Sequence, residues 1–140
     1  VKRLALLWVP VALGLALVLP TSTFAATGYT FAVVEQHCIS TGHGHNPYFE
    51  VKLTAAGSTP ANKLTIKSTS QYFSAGKWHN FYRWAVNKTQ YTPNGQAHAI
   101  DYSYDHVDGS DTRQWRIKSV LKAWNGSTVL AHKTLTSRAC

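Results

Sequence analysis

Across residues 48–56 apolar and polar side chains alternate without a break. Phe49, Val51, Leu53 and Ala55 fall on one side, and Glu50, Lys52 and Thr54 on the other. A period of two is what a half-buried β-strand needs, because successive side chains of an extended chain leave on opposite faces. The same period returns four more times. Residues 63–73 set Leu64 and Ile66 on one face, and residues 96–104 set Ile100, Tyr102 and Tyr104 against Asp101. Residues 78–86 put Trp78, Tyr82, Trp84 and Val86 on one face, with Phe81 and Arg83 on the other. In residues 113–124, Trp115, Ile117, Leu121 and Ala123 share one face and Arg116, Lys118 and Lys122 the other, with Trp124 beside the turn on that basic face. Residues 29–38 are rich in aromatic and β-branched types and predict a further strand.

Between these runs lie Gly, Pro, Asn, Asp and Ser, the residues that end strands for local reasons of φ and side-chain hydrogen bonding. Residues 39–47 read as a loop and 56–62 as a turn, with further breaks at 74–76, 92–95 and 105–111. Asn125-Gly126 predicts a hairpin, since both residues tolerate positive φ. Two registers are open for the strand after it. A two-residue loop puts Leu130, beside His132, on the Trp115 face. A three-residue loop with Gly126 as a bulge puts Val129, Ala131 and Leu135 there, with Lys133 among them, and gathers more apolar side chains on one face. With no helix-period segment, the pattern predicts an all-β fold. It would be a single antiparallel β-sandwich of about seven strands, immunoglobulin- or fibronectin-III-like in architecture. The antibody-type pattern of Cys, Trp and Cys on paired inner strands is absent, because both cysteines lie towards the ends of the domain.

The first residues change the picture of where that domain begins. Lys2 and Arg3, then apolar residues 4–19, then a polar exit to Ala25 and Ala26, match a secretory signal peptide with cleavage expected after Ala25. Pro10 and Gly14 interrupt an apolar run already shorter than the ~20 residues a membrane span needs. The expected organisation is therefore a signal peptide over residues 1–25 and a β-sandwich domain over 26–140, secreted and extracellular, with no membrane span in the mature chain. Val1 in place of Met suggests an alternative bacterial start codon.

Oxidising surroundings make Cys38 and Cys140 an expected disulfide, with an intermolecular bridge or free thiols as the competing readings. The formal charge of +8 falls to +6 once Lys2 and Arg3 are removed. Such a surplus favours anionic surroundings, or serves solubility alone. Two constellations fit a binding role. Arg116, Lys118, Lys122 and Trp124 form a basic and aromatic strand face suited to an anionic cell-surface polymer or polysaccharide, although outward Lys and Arg also discourage edge-to-edge aggregation. Trp78, Tyr82 and Trp84 suit a stacking platform, but large aromatics on one strand of a small sandwich more often fill its core, and Trp78 and Trp84 are expected there.

Metal chemistry is the second function class. His37, His43 and His45 gather in one Gly-rich stretch and would supply three nitrogens to Cu(II) or Zn(II). Asp105, Asp108 and Asp111 fall within seven residues, the density of carboxylates a Ca²⁺ loop uses, but without EF-hand spacing, and Asp and Gly also serve turns. Catalysis finds no support: there is no G-x-S-x-G elbow or phosphate loop, and Glu35 and Glu50 are the sole glutamates. No nucleic-acid-binding signature occurs, and secretion argues against that partner. Asn87-Lys88-Thr89 and Asn125-Gly126-Ser127 match the glycan acceptor pattern, which carries little weight in a bacterial product.

Overall fold

A computed structural model describes residues 24–26, 28–41, 44–93, 95–105 and 112–140. Apart from Phe24 and Ala25, the expected signal peptide lies outside them. Among the described residues the strands are β1 (Phe24–Ala26), β2 (Tyr29–Thr41), β3 (Gly44–Ala55), β4 (Lys63–Ser74), β5 (Lys77–Tyr91), β6 (His98–Asp105), β7 (Trp115–Asn125) and β8 (Thr128–Thr136). They form two antiparallel sheets, ordered β1-β2-β3-β6 and β5-β4-β7-β8. The all-β sandwich expected from the alternation is present, and no described helix is long and apolar enough to cross a membrane. The three residues of β1 pair with Tyr29, Thr30 and Phe31, and they span the position at which cleavage is expected.

The alternation sets the faces. Phe31, Phe49, Val51, Leu53 and Ile100 point inward from the first sheet and meet Leu64, Ile66, Ile117, Leu121 and Ala123 from the second. Each of these is almost wholly removed from water, worth about 1.5–3 kcal/mol for each large aliphatic side chain. Two polar pairs lie within this core. Ser68 and Ser119, opposite each other on β4 and β7, share a hydrogen bond of 2.8 Å, and Ser70 Oγ donates to the Tyr104 hydroxyl at 3.2 Å, linking the two sheets.

Burial raises the Tyr104 phenol above its ordinary value of 10.0, the hydrogen bond from Ser70 works against that rise, and the nearby Tyr102 and Asp105 add to it. Burial likewise raises Tyr102. A folded-state pKa raised above the unfolded one means that the native state holds the proton longer, so stability is full below pH 10.0 and is lost as pH climbs through the raised value. Urea midpoints should therefore decline on the alkaline side of pH 10.0, and Tyr104→Phe should make that decline shallower. An unchanged slope in the variant would assign the alkaline loss to other groups.

Three local expectations need correction. Residues 39–47 are not a loop in their entirety: β2 runs to Thr41 and β3 starts at Gly44, with Cys38 opposite Pro47 and Ser40 opposite His45. Breaker residues were outweighed by a long ladder, and Pro47 is tolerated because β6 pairing ends opposite Tyr48, so β3 is an edge there. The hairpin after β7 matches neither register drawn from the sequence. Asn125 pairs with Thr128, leaving Gly126 (φ 58°) and Ser127 as the two central residues, the Gly-first arrangement of a tight hairpin. A register shift between Ala123 and Trp124 then keeps Ala131, Lys133 and Leu135 on the inner side but turns Val129 outward, opposite Trp124.

Trp78 is not a core residue. The β4–β5 register jumps from Ser68–Val86 to Ser70–Phe81, so extra β5 residues bulge out and the faces exchange across the bulge. Val86 packs on the core, whereas Trp78 and Tyr82 lie on the outer face of the sheet, Tyr82 well exposed. The same exchange sends Phe81 inward, where it meets Tyr72 and Trp115 edge-on.

The chain ends are joined. Cys38 of β2 and Cys140 form a disulfide across 102 residues, with Cα atoms 5.7 Å apart. Cys140 also exchanges both backbone hydrogen bonds with Trp115, at 2.9 and 3.0 Å.

Candidate binding face

The outer face of the β5-β4-β7-β8 sheet gathers the side chains of the expected basic stripe. Arg116, Lys118, Lys122 and Trp124 alternate outward along β7, each partly exposed, while Trp115, Ile117, Leu121 and Ala123 are fully buried behind them. Pairing brings further cations alongside. Lys63 stands opposite Trp124, Thr65 opposite Lys122, Thr69 opposite Lys118 and Gln71 opposite Arg116. Lys67 lies between them on β4, opposite Asn87 of β5.

Two adjoining depressions run along β4 on this face. One, of about 410 Å³, is bounded by Thr65, Lys67, Asn87, Thr89, Lys122 and Trp124. The other, of about 160 Å³, is bounded by Thr69, Asn80, Tyr82 and Lys118, and the two share Lys67 and Val120. Together they make one groove parallel to the strands.

Among the described residues two indoles lie on this face, and both sit beside cations. Trp124 Nε1–H donates to Thr65 Oγ1 at 2.9 Å, which fixes the ring, and Lys63 and Lys122 place their ammonium groups 4.5 and 5.3 Å from its centroid. At the far end the Arg116 guanidinium lies 4.2 Å from the Trp78 ring. A relay locks it there: Arg116 Nε donates to Gln71 Oε1 at 2.8 Å, Gln71 Nε2 to Asn80 Oδ1 at 2.7 Å, and Asn80 Nδ2 to the Tyr82 hydroxyl at 2.8 Å. Partial burial lowers the Arg116 pKa, yet a guanidinium stays charged at any ordinary pH.

Charge is divided between the two sheets. The described carboxylate side chains are Glu35 on β2, Glu50 on β3, and Asp101 and Asp105 on β6, all in the other sheet. Glu50 and Asp101 lie opposite Ser103 and Lys52 on the outward side of their strands, and Glu35 pairs with Glu50. Among the described residues, the grooved face carries no carboxylate.

The histidines of the expected metal site divide differently. His37 Nδ1 is 3.1 Å from Glu35 Oε1, and its ring stacks on Tyr48 with centroids 4.6 Å apart. His45 stands opposite Ser40, three residues along β2 from His37, so alternation sends His37 and His45 to opposite faces of the hairpin. His43 lies outside the described residues, as do Trp84's side chain and the Asp105–Asp111 stretch beyond Asp105. Among the described residues no three His, Cys, Asp or Glu side chains converge as a metal ion requires.

The sequence located four members of this face and missed Lys63, Lys67, Gln71 and Asn80. For the three on β4 the signal lay in the polar half of that strand's alternation, Thr65, Lys67 and Thr69 against Leu64 and Ile66, but which strand β4 would border was not written locally. No known protein-family model matches this chain, and no curated protein resembles it in sequence.

Proposed function

We propose that this protein is a secreted, non-catalytic extracellular module that binds an anionic polysaccharide or cell-surface polymer through the outer face of its β5-β4-β7-β8 sheet, with Arg116, Lys118, Lys122 and Trp124 as the principal contacts. The observation that carries this reading is the groove. It is lined by cations, amides and hydroxyls, has the Trp124 indole at one end and the Arg116–Trp78 pair beyond the other, and is free of carboxylates among the described residues, while Glu35, Glu50, Asp101 and Asp105 are confined to the other sheet. Such a division steers a polyanion to one face and repels it from the other. We place the domain among immunoglobulin- or fibronectin-III-like sandwiches. The links β3→β4, β5→β6 and β6→β7 cross between the sheets, which supports that assignment.

Retention on an immobilised polyuronate column tests the reading. The wild-type protein should bind at low ionic strength and elute as salt screens the contact. The triple variant Arg116→Glu/Lys118→Glu/Lys122→Glu should bind roughly tenfold to a hundredfold more weakly. A matched reversal on the opposite sheet, Asp101→Lys, should not weaken binding. Equal retention of the triple variant and wild type, both folded by circular dichroism, would remove this face from the function.

A further inference from the structure

Resting on the polysaccharide reading above, we infer that the ligand is a linear acidic polysaccharide laid along β4, engaged at its two ends by the cation-flanked indoles of Trp124 and Trp78, so that affinity depends on whether the chain is long enough to reach both. The register sets the distance. Trp124 lies opposite Lys63 and Trp78 opposite Phe73, ten residues apart on β4, or roughly 33 Å at the usual rise of an extended strand. The two depressions occupy the part of that path from Thr65 to Thr69, meeting at Lys67 and Val120, and the paired Gln71 and Arg116 continue the polar surface towards Trp78.

The lining selects the chemistry. An indole edge or face offers apolar area to the C–H face of a sugar ring, and a rotationally fixed indole loses less entropy on stacking than a free one. The Thr65 hydrogen bond supplies that fixation at Trp124. Arg116, held in line by Gln71 and Asn80, presents charge next to the Trp78 indole, so each end pairs a flat apolar surface with a cation. Thr69, Asn80, Asn87 and Thr89 add hydroxyl and amide groups along the way, partners for sugar hydroxyls rather than for bare phosphate. Charge on every ring matches a floor and wall where Lys67, Lys118 and Lys122 recur between the indoles. A branched polymer would meet the walls of the groove, which favours an unbranched one.

Two sites joined by one ligand obey effective-concentration arithmetic: once one end is seated, the other binds intramolecularly, but only if the chain spans the gap. Calorimetric titration with homogalacturonan oligomers of graded length reads this directly. Affinity should step up roughly tenfold to a hundredfold at the length that first spans both indoles. Trp124→Ala or Trp78→Ala should each abolish the step while leaving the weak binding of short oligomers to the remaining end, and Trp124→Phe should keep it. Methyl-esterified oligomers, which retain rings and lose charge, and polyphosphate, which has charge without rings, should both lack the step.

A smooth rise of affinity with length, or a step that survives either Trp→Ala change, overturns the two-ended engagement while leaving polysaccharide binding standing. The same step with polyphosphate or single-stranded DNA overturns the sugar assignment. No binding of any uronate oligomer by the wild type at low ionic strength overturns both this inference and the reading beneath it.

Discussion

Replacing Cys140 by Ser, or reducing the Cys38–Cys140 bridge, is expected to cost about 3–5 kcal/mol of folding stability. Bridging residues 102 apart removes a large share of the freedom of the unfolded chain, and the chain-entropy model puts a loop of that size at about 4.7 kcal/mol. Native geometry adds to the loss. The bridge crosses from β2 in one sheet to the residues after β8 in the other, and Arg138 N donates to Gln36 Oε1 at 3.1 Å beside it. Without the covalent tie, that short segment must hold the open side of the sandwich by hydrogen bonds alone. Urea unfolding with and without reductant measures the cost, and a difference below about 1 kcal/mol would mean that the unfolded chain gains little freedom on reduction.

Trp115→Ala is expected to cost a comparable ~3–5 kcal/mol, whereas Trp124→Ala, nine residues along the same strand, should cost under about 1 kcal/mol. Nine is odd, so the two indoles leave β7 on opposite faces. Trp115 is wholly buried, with Tyr72 and Phe81 rings 5.6 and 5.5 Å away and the Arg113 guanidinium 5.2 Å from its centroid. Truncation leaves a cavity too large for neighbouring rings to fill. Because Trp115 also bonds Cys140 through its backbone, combining Trp115→Ala with Cys140→Ser should cost less than the separate losses added together. Equilibrium unfolding of the two single variants and the double variant checks both statements. Comparable losses at Trp115 and Trp124 would contradict the assignment of the two faces.

These two tryptophans show what the sequence could reveal. The alternation along β7 placed Trp115 inside and Trp124 outside, because in a strand without a bulge parity alone decides the face. Leu64, Ile66, Phe49, Val51 and Leu53 were legible for the same reason. Parity fails where the ladder is irregular. The shift between Ser68 and Ser70 sent Trp78 outward and Phe81 inward, and the shift beside Ala123 turned Val129 outward. The β5 bulge arises in the pairing of β4 with β5 across the short Ala75-Gly76 turn, and the alternation of β5 read by itself does not show it.

The binding face was half legible for a related reason. Arg116, Lys118, Lys122 and Trp124 lie on one strand and could be read together. Lys63 and Lys67 join them only because β4 pairs with β7 some fifty residues later, and the Gln71–Asn80 relay needs three strands in register. His37 and His45 show the converse: nearness along the chain does not put two side chains on one face when they stand out of phase on paired strands. Ser40, opposite His45, is three positions along β2 from His37, an odd step that changes the face.

The tie between Cys38 and Cys140 also governs how the molecule bears load. A pull applied between Phe24 and Cys140 passes through the sulfur bridge, so only β1 and the first part of β2 can peel before the force meets covalent bonds. Fourteen residues extend at most about 50 Å, after which the tether stiffens. The strands from β3 to β8, and the grooved face they carry, lie inside the bridged loop and are shielded from tension. Reduction would place all of them in the line of force.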